Sequence, residues 1–155
     1  MIDALGARQE VFNLIVNTIS TTDWATEIGY PSVNQYYQGR EMPSSPPGDE
    51  PHIKAFIRHA DGGQGSLTGS NGYQLYENDG LLIIQAFGPQ FRGDGLEVAI
   101  KVATILGRAL KAKQTNPGCV WFRRCRIQEE EPSGNWDQCN LYCTITYHEV
   151  INHGL

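Results

Sequence analysis

Residues 136–149 read WDQCNLYCTITYHE, and their side chains alternate between two characters. The apolar or thiol-bearing positions are Cys139, Leu141, Cys143, Ile145 and Tyr147. The positions between them are Asn140, Tyr142, Thr144, Thr146 and His148. Successive side chains of a strand point to opposite faces of a sheet, so a period of two predicts a strand with one face in the core. We expect the face that carries Leu141 and Ile145 to be the buried one.

Three further strands are predicted around this one. Cys119–Gln128 comes first, separated from the last strand by Glu129–Asn135, whose Pro, Gly and Asn residues indicate a hairpin. His52–His59 alternates between apolar and polar positions. Leu81–Phe87 is apolar at almost every position, which is typical of a central strand covered on both faces.

Two helices complete the predicted elements. The first runs from Asp3 to about Ser20, where side chains at three-and-four spacing predict an amphipathic helix. Its stripe consists of Val11, Leu14, Ile15, Thr18 and Ile19. The second follows Gly93-Asp94-Gly95 and has a broad apolar face up to Leu110. Asp94 is expected to cap its N-terminus, because a short carboxylate side chain accepts hydrogen bonds from the first free amides.

The order helix, strand, strand, helix, strand, strand predicts an α+β domain spanning residues 1–155. We expect an antiparallel or mixed sheet of four to five strands with both helices packed on one face. A doubly wound parallel sheet would need more crossover helices than the chain supplies. Two long connections, the proline-rich Tyr36–Pro51 and the glycine-rich Ala60–Gly80, are expected to form loop arms available to a partner.

Composition excludes several classes of protein. The formal net charge of −5 argues against a DNA- or RNA-binding protein, which releases counterions through a basic surface. No apolar run approaches the ~18 residues of a membrane-spanning helix. The first ten residues lack a basic segment followed by an apolar one, so no secretory signal is predicted. We therefore expect a cytoplasmic setting, in which the cysteines are reduced.

The chemically active residue types form no recognisable catalytic or metal-binding pattern. The four histidines, His52, His59, His148 and His153, are scattered, and the cysteine spacing fits no zinc site. The glycines after Asp61 lack the Lys-Ser/Thr ending and the helix of a phosphate loop. We therefore expect no enzymatic activity, no cofactor and no metal.

The four cysteines are Cys119, Cys125, Cys139 and Cys143. Cys139 and Cys143 share a strand face but lie roughly 13 Å apart, too far to form a disulfide. Buried free thiols are expected, and a pairing of Cys125 with one of these two across the hairpin is left open.

Charged residues near the predicted hairpin suggest an interface. Glu129–Glu131 is interpreted as a solvated hairpin tip, or as a small acidic patch that faces a partner or an aqueous channel. Strand alternation is expected to send Arg123 to one face and Arg124 with Arg126 to the other. Arginines beside Trp121 are a frequent combination at protein interfaces. The candidate assembly interface consists of Tyr36, Tyr37, Arg40, Phe56, Arg58, Trp121, Arg123, Arg124 and Arg126.

Four segments in order carry a resemblance: PHIKAFIRHADG, YENDGLLIIQAFGPQFRGDG, VWFRRCRI and WDQCNLYCTITYHE. In them, and over roughly residues 9–150, the chain resembles the tail-terminator-like (tail completion) proteins of long-tailed bacteriophages. The resemblance implies a hexameric ring on the head-proximal end of the tail tube, which stops tail polymerisation and joins the tail to the head-tail connector. The implied partners are further copies of the chain, the tail tube protein and neck proteins, with genomic DNA only passing through the lumen. The implied location is the virion, after assembly in the host cytoplasm.

Other functions remain as alternatives. A head-completion or stopper protein of the neck would share the small size and long arms. A small hydrolase or nucleotide-binding enzyme would need a pocket with two convergent titratable groups. A single-stranded nucleic-acid-binding module with Tyr142 and Phe122 as stacking platforms would need a basic groove.

Overall fold

The structure, a computed structural model, describes residues 3–41, 46, 48–67, 73–111 and 120–152. Its helices are α1 (Ala4–Thr21), α2 (Trp24–Ile28) and α3 (Gly95–Leu110). Its strands are β1 (Asn34–Tyr37), β2 (His52–Leu67), β3 (Tyr73–Pro89), β4 (Val120–Ser133) and β5 (Trp136–Asn152). No helix within the described residues has the length and apolar character needed to cross a membrane.

The five strands form one mixed sheet in the order β1-β2-β3-β5-β4. β1 is parallel to β2, and the other three pairings are antiparallel. The expected α+β fold is therefore confirmed, with β3 and β5 at the centre. Sequence reasoning missed β1 and α2, because four and five residues are too few to show a period.

The helices pack on one face of the sheet and enclose a single core with it. Between the sheet and α3, five large apolar residues are at most 1% exposed: Leu82, Ile84, Leu106, Leu141 and Ile145. The predicted core face of the last strand is confirmed, since its five apolar or thiol-bearing residues are buried. The sheet therefore has one covered face and one face without a helix in the described part of the chain.

The two long helices begin differently. Asp3 caps α1 as its Oδ1 accepts a hydrogen bond of 2.8 Å from the Gly6 amide. Phe12 is buried in α1, whereas Leu14 and Thr18 of the predicted stripe are only partly buried. The prediction that Asp94 caps α3 is wrong: its side chain accepts no such bond, because its backbone (φ −113°, ψ 15°) is not in the extended conformation that capping uses.

The start of α3 is held against the end of β3 by two glycines. A Cβ atom at Gly88 would collide with the carbonyl oxygen of Gly95. A Cβ atom at Gly95 would in turn lie 2.8 Å from the carbonyl oxygen of Gly88. Glycine at both positions therefore lets the helix backbone approach the strand directly, which sets where α3 lies on the sheet.

The glycine-rich arm expected over Ala60–Gly80 is largely strand, so that prediction is wrong outside residues 68–72, which are not described. β2 and β3 stay paired from Gly62 opposite Asn78 to Leu67 opposite Gln74, with two irregularities in register. Pairing with β3 on one side supplies the hydrogen bonds that composition alone did not predict. In the other arm, Tyr36 and Tyr37 belong to β1, and residues 42–45 and 47 lie outside the described residues.

The glutamate run Glu129–Glu131 lies within β4, not at the hairpin tip as expected. The turn is formed instead by Gly134 and Asn135, and Gly134 has a φ of +61°. A left-handed conformation is accessible to glycine without steric cost, so the strands continue almost to the turn.

Candidate interface on the uncovered sheet face

The face of the sheet remote from the helices, here called the open face, is defined by strand alternation. In β2, Ile53, Ala55 and Ile57 are buried in the core. Lys54 and Phe56 between them are half-buried and point the other way. Residues directly opposite on neighbouring strands share a face, so the strand register identifies the remaining members of the open face.

Three rows of partnered residues cross the centre of the open face. The first row is Lys54, Gln85, Asn140 and Gln128. The second, here called the central row, is Phe56, Ile83, Tyr142 and Arg126. The third is Arg58, Leu81, Thr144 and Arg123.

The apolar part of the central row lies on β2 and β3. Phe56 and Ile83 are half-buried, and Leu81 in the neighbouring row is half-buried as well. With Gln38, Arg58 and Gln85, Phe56 and Ile83 line a depression of about 210 Å³. The prediction that Leu81–Phe87 is covered on both faces is therefore wrong for the described residues: β3 is central, but the helices among these residues cover only one of its faces.

A bulge in β4 sets the direction of its arginines. Arg123 pairs with Thr144 and Arg126 with Tyr142, so three residues of β4 advance against two of β5. Arg124 takes up the extra residue with a φ of +51°. Arg123 and Arg126 therefore lie on the same face, and the expectation that alternation separates them is wrong because the bulge shifts the phase of the strand.

Polar contacts hold the β4–β5 end of the central row. The guanidinium carbon of Arg126 lies 4.7 Å from the centre of the Tyr142 ring. The Asn140 side-chain amide donates a hydrogen bond of 3.0 Å to the Tyr142 hydroxyl. That hydroxyl lies 3.3 Å from Oε1 of Glu130. Asn140 is only 5% exposed, so its side chain is held in place and the network fixes the orientation of the Tyr142 ring on the open face.

The three central rows of the open face contain four cations and no carboxylate, whereas the register places Glu77, Asp79 and Glu130 on the same face outside these rows. Lys54, Arg58, Arg123 and Arg126 lie in the three rows. Among the described residues, none of these four cations lies within ion-pair distance of a carboxylate. Lys54 instead has its ammonium nitrogen 5.4 Å from the centre of the Phe87 ring. The charges are therefore available to an acidic partner.

One end of the open face is an aromatic cluster around His52. The imidazole stacks on Phe87 at 4.5 Å and receives the ring of Trp136 edge-on at 4.5 Å. Tyr36 approaches it edge-on at 5.7 Å. His52 is 2% exposed, and burial lowers its pKa to about 4, with the positive charge of Lys54 acting in the same direction. It is therefore a neutral packing residue at physiological pH.

The structure brings six of the nine sequence-predicted interface residues together on the open face. They are Tyr36, Phe56, Arg58, Trp121, Arg123 and Arg126. Tyr37 is instead buried at 4% exposure, with its ring 4.9 Å from that of Phe12, so it belongs to the core. Arg40 lies over the Tyr37 ring at 5.2 Å, and Arg124 is exposed at the bulge.

Sequence reasoning missed Ile83 and Lys54 as interface residues. The signal for Ile83 was that Leu81–Phe87 is apolar at both odd- and even-numbered positions. This pattern was interpreted as burial of both strand faces by other parts of the same chain. The signal for Lys54 was its alternation with Ile53 and Ala55. Both residues become recognisable only when the register places them beside Phe56.

The open face suits binding of another macromolecule. Aromatic and aliphatic side chains at its centre would lose contact with water on docking, and arginines can form bidentate pairs there. In the described part of the chain, no three His, Cys, Asp or Glu side chains converge in an arrangement that could hold a metal ion.

Comparison with known proteins adds little to this geometry. No family model matches the chain, and no curated protein matches it. One solved structure is similar over 92% of this chain and 97% of its own length, with 19% sequence identity and a TM-score of 0.46. A likeness at this level carries no argument about function.

Proposed function

We propose that this protein is a virion structural protein that forms a hexameric ring and caps the head-proximal end of a phage tail tube. The ring stops tail polymerisation and joins the tail to the head-tail connector. The proposal rests on the resemblance of four ordered sequence segments to tail-terminator-like proteins, and on a subunit surface suited to assembly.

The uncovered centre of the sheet is the observation that carries the proposal. Phe56 of β2 and Ile83 of β3 are register partners and remain half-exposed in the single chain. Apolar side chains in contact on a sheet face that no described helix covers are typical of a surface buried by a protein partner. Burial against a second subunit would complete the cover that the sequence of β3 indicates.

The distribution of charge favours a ring of identical subunits. Ring contacts are heterologous, so one surface of a subunit must complement a different surface of its neighbour. The three central rows of the open face carry four cations and no carboxylate, whereas the whole chain has a net charge of −5. The rest of the chain therefore holds the excess negative charge, and complementary surfaces meet head to tail.

The tail-length distribution of particles that lack the protein tests the proposal. Without the protein, electron micrographs are expected to show tails of irregular and excessive length with no heads attached. Complementation of the same phage with variant proteins tests the open face separately from the rest of the surface. The Phe56→Ser variant is expected not to restore normal particles. Phe91→Ser, the same change at a residue 64% exposed outside the sheet, is expected to restore normal particles.

Tails of normal length in the absence of the protein would contradict the terminator function. Together with missing heads, that result would favour a head-completion or stopper protein of the neck instead. Equal complementation by both variants would show that the open face has no part in assembly.

A further inference from the structure

Two cysteines face each other across the β4 bulge. Arg124 and Cys125 lie between the pairs Arg123–Thr144 and Arg126–Tyr142, and so oppose Cys143 alone. Cys143 is fully buried, whereas Cys125 is half-buried at the edge of the core. Each thiol is near enough to the other to shift its pKa.

Cys125 opens onto a cavity of about 190 Å³ between the C-terminal part of α3 and the β4–β5 hairpin. Gly107 brings the helix close to the sheet here, because a Cβ at this position would lie 3.1 Å from a Leu141 methyl group. Two cationic residues of α3 and its C-terminal end, Arg108 and Lys111, also line the cavity. A thiol at the wall of a cationic cavity is thus accessible to a small anionic molecule.

The two thiols differ in acidity and in exposure. The hydrogen bond from Cys143 lowers the pKa of Cys125, and the charge of Lys111 adds to this against an opposing effect of burial. The same hydrogen bond and burial raise the pKa of Cys143. Cys125 at the cavity wall is the thiol that a dissolved reagent reaches, and the fully buried Cys143 can react only after it.

We propose that Cys125 and Cys143 form a redox-active thiol pair that reacts with an anionic low-molecular-weight disulfide, of which glutathione disulfide is the example, bound beside Arg108 and Lys111. This site does not depend on the proposed role in a phage tail.

The reaction takes place in two exchanges. The Cys125 thiolate attacks one sulfur of the bound disulfide, forms a mixed disulfide and releases the first small thiolate, which takes up a proton. Cys143 then loses its proton and attacks Sγ of Cys125, which expels the second small thiolate. Both protein thiols are oxidised to one disulfide, and one small disulfide is reduced to two thiols.

The strand arrangement suits the product. Cys125 and Cys143 lie on neighbouring strands, which are about 4.7–4.9 Å apart, and a disulfide usually joins Cα atoms 4.4–6.8 Å apart. A cross-link between Cys125 and Cys143 would tie the β4 bulge, and the neighbouring Arg126 of the open face, to the central strand β5.

Mass spectrometry of the full-length reduced protein incubated with glutathione disulfide tests the site. The reduced protein is expected to titrate four thiols after denaturation, one for each cysteine of the chain. After incubation, it is expected to lose two hydrogen atoms, and non-reducing peptide maps should join Cys125 to Cys143. Cys143→Ser should stop at one glutathione on Cys125, and Cys139→Ser, at another buried cysteine, should react as the wild type does.

A second disulfide reagent tests the cationic cavity even if a cysteine variant fails to fold. Cystamine is cationic, so at low salt we expect wild-type Cys125 to react faster with glutathione disulfide than with cystamine. Arg108→Gln combined with Lys111→Gln should reduce the ratio of the two rates about two- to fivefold. The ratio cancels any change in the acidity of Cys125, because that change affects both reagents alike.

Three results would overturn the inference. One is retention of all four thiols after long incubation. Another is a disulfide that joins other cysteines. The third is a ratio of rates that does not change when the two cationic side chains are removed.

Discussion

The guanidinium group of Arg126 lies over the ring of Tyr142, with its central carbon 4.7 Å from the ring centre. The contact exists because the β4 bulge adds one residue between Arg123 and Arg126, which turns both arginines to the open face. An exposed cation–aromatic pair of this kind stabilises by roughly 0.5–1 kcal/mol. Its larger effect is on orientation, since it holds a positive charge at the end of the central row.

Substitution of Arg124 tests the bulge. Its φ of +51° is unfavourable for a side chain with a Cβ and most unfavourable for a β-branched one. We expect Arg124→Gly to leave the free energy of unfolding unchanged or raise it by up to ~1 kcal/mol, and Arg124→Val to lower it by about 1–2 kcal/mol. Urea titrations of both variants measure the difference. Equal stability of the two variants would contradict a left-handed residue at this position.

Truncation of Ile145 tests the assignment of the covered face. This side chain is 0% exposed beneath the helices, so Ile145→Ala should lower the free energy of unfolding by about 2–5 kcal/mol. Thr144 is its neighbour on the open face, and Thr144→Ala should change the same quantity by less than about 0.5 kcal/mol. A loss below about 0.5 kcal/mol for Ile145→Ala would mean that the two faces are exchanged.

The comparison of these neighbours also shows what sequence patterns could predict. The regular alternation of β5 predicted which of Ile145 and Thr144 is buried, because a period of two has a single structural meaning in a strand. The pattern failed in β4, where one extra residue at Arg124 moved Arg126 to the other face. Bulges depend on a register between two strands, so no local pattern in β4 contains that information.

For the candidate site, the sequence indicated which residue types could form an interface. Only the strand register shows which of these residues are neighbours. Phe56 and Arg126 are distant in sequence but belong to one row across four strands. Tyr37 failed as an interface residue because its burial against Phe12 depends on the packing of α1. Such tertiary packing overrides the polar surroundings of Tyr37 in the sequence.

The pH dependence of stability tests the burial of His52. Its pKa is about 4 in the folded protein and near 6.5 when unfolded, so protonation favours the unfolded chain. The corresponding stability is present above pH 6.5 and is lost as the pH falls. Between pH 7 and pH 5, we expect this histidine to account for about 1–2 kcal/mol of lost stability.

His52→Phe is the matched variant, because it keeps a ring between Phe87 and Trp136 but cannot take up a proton. Its free energy of unfolding, from urea titrations at each pH, should fall less than that of the wild type between pH 7 and pH 5. Parallel curves for the two proteins would show that His52 is solvated in the folded state.

The contact between β3 and α3 makes a further prediction. Gly88→Ala places a methyl group against the carbonyl of Gly95, so the helix must shift, and we expect a loss of about 1–3 kcal/mol in the free energy of unfolding. Gly48→Ala is the control, since a Cβ there meets no atom within 4 Å. Thermal unfolding of both variants provides the measurement, and an unchanged Gly88→Ala protein would contradict the close approach of strand and helix.

The central claim is that the open face is the assembly surface, and the particle mass of the purified protein, combined with electron micrographs, tests it most directly. The account predicts that wild-type protein forms closed rings as concentration rises, that Phe91→Ser does so equally, and that Phe56→Ser remains a monomer with an unchanged circular dichroism spectrum. Wild-type protein that stays monomeric at every concentration, or rings that form unimpaired with Phe56→Ser, would contradict it.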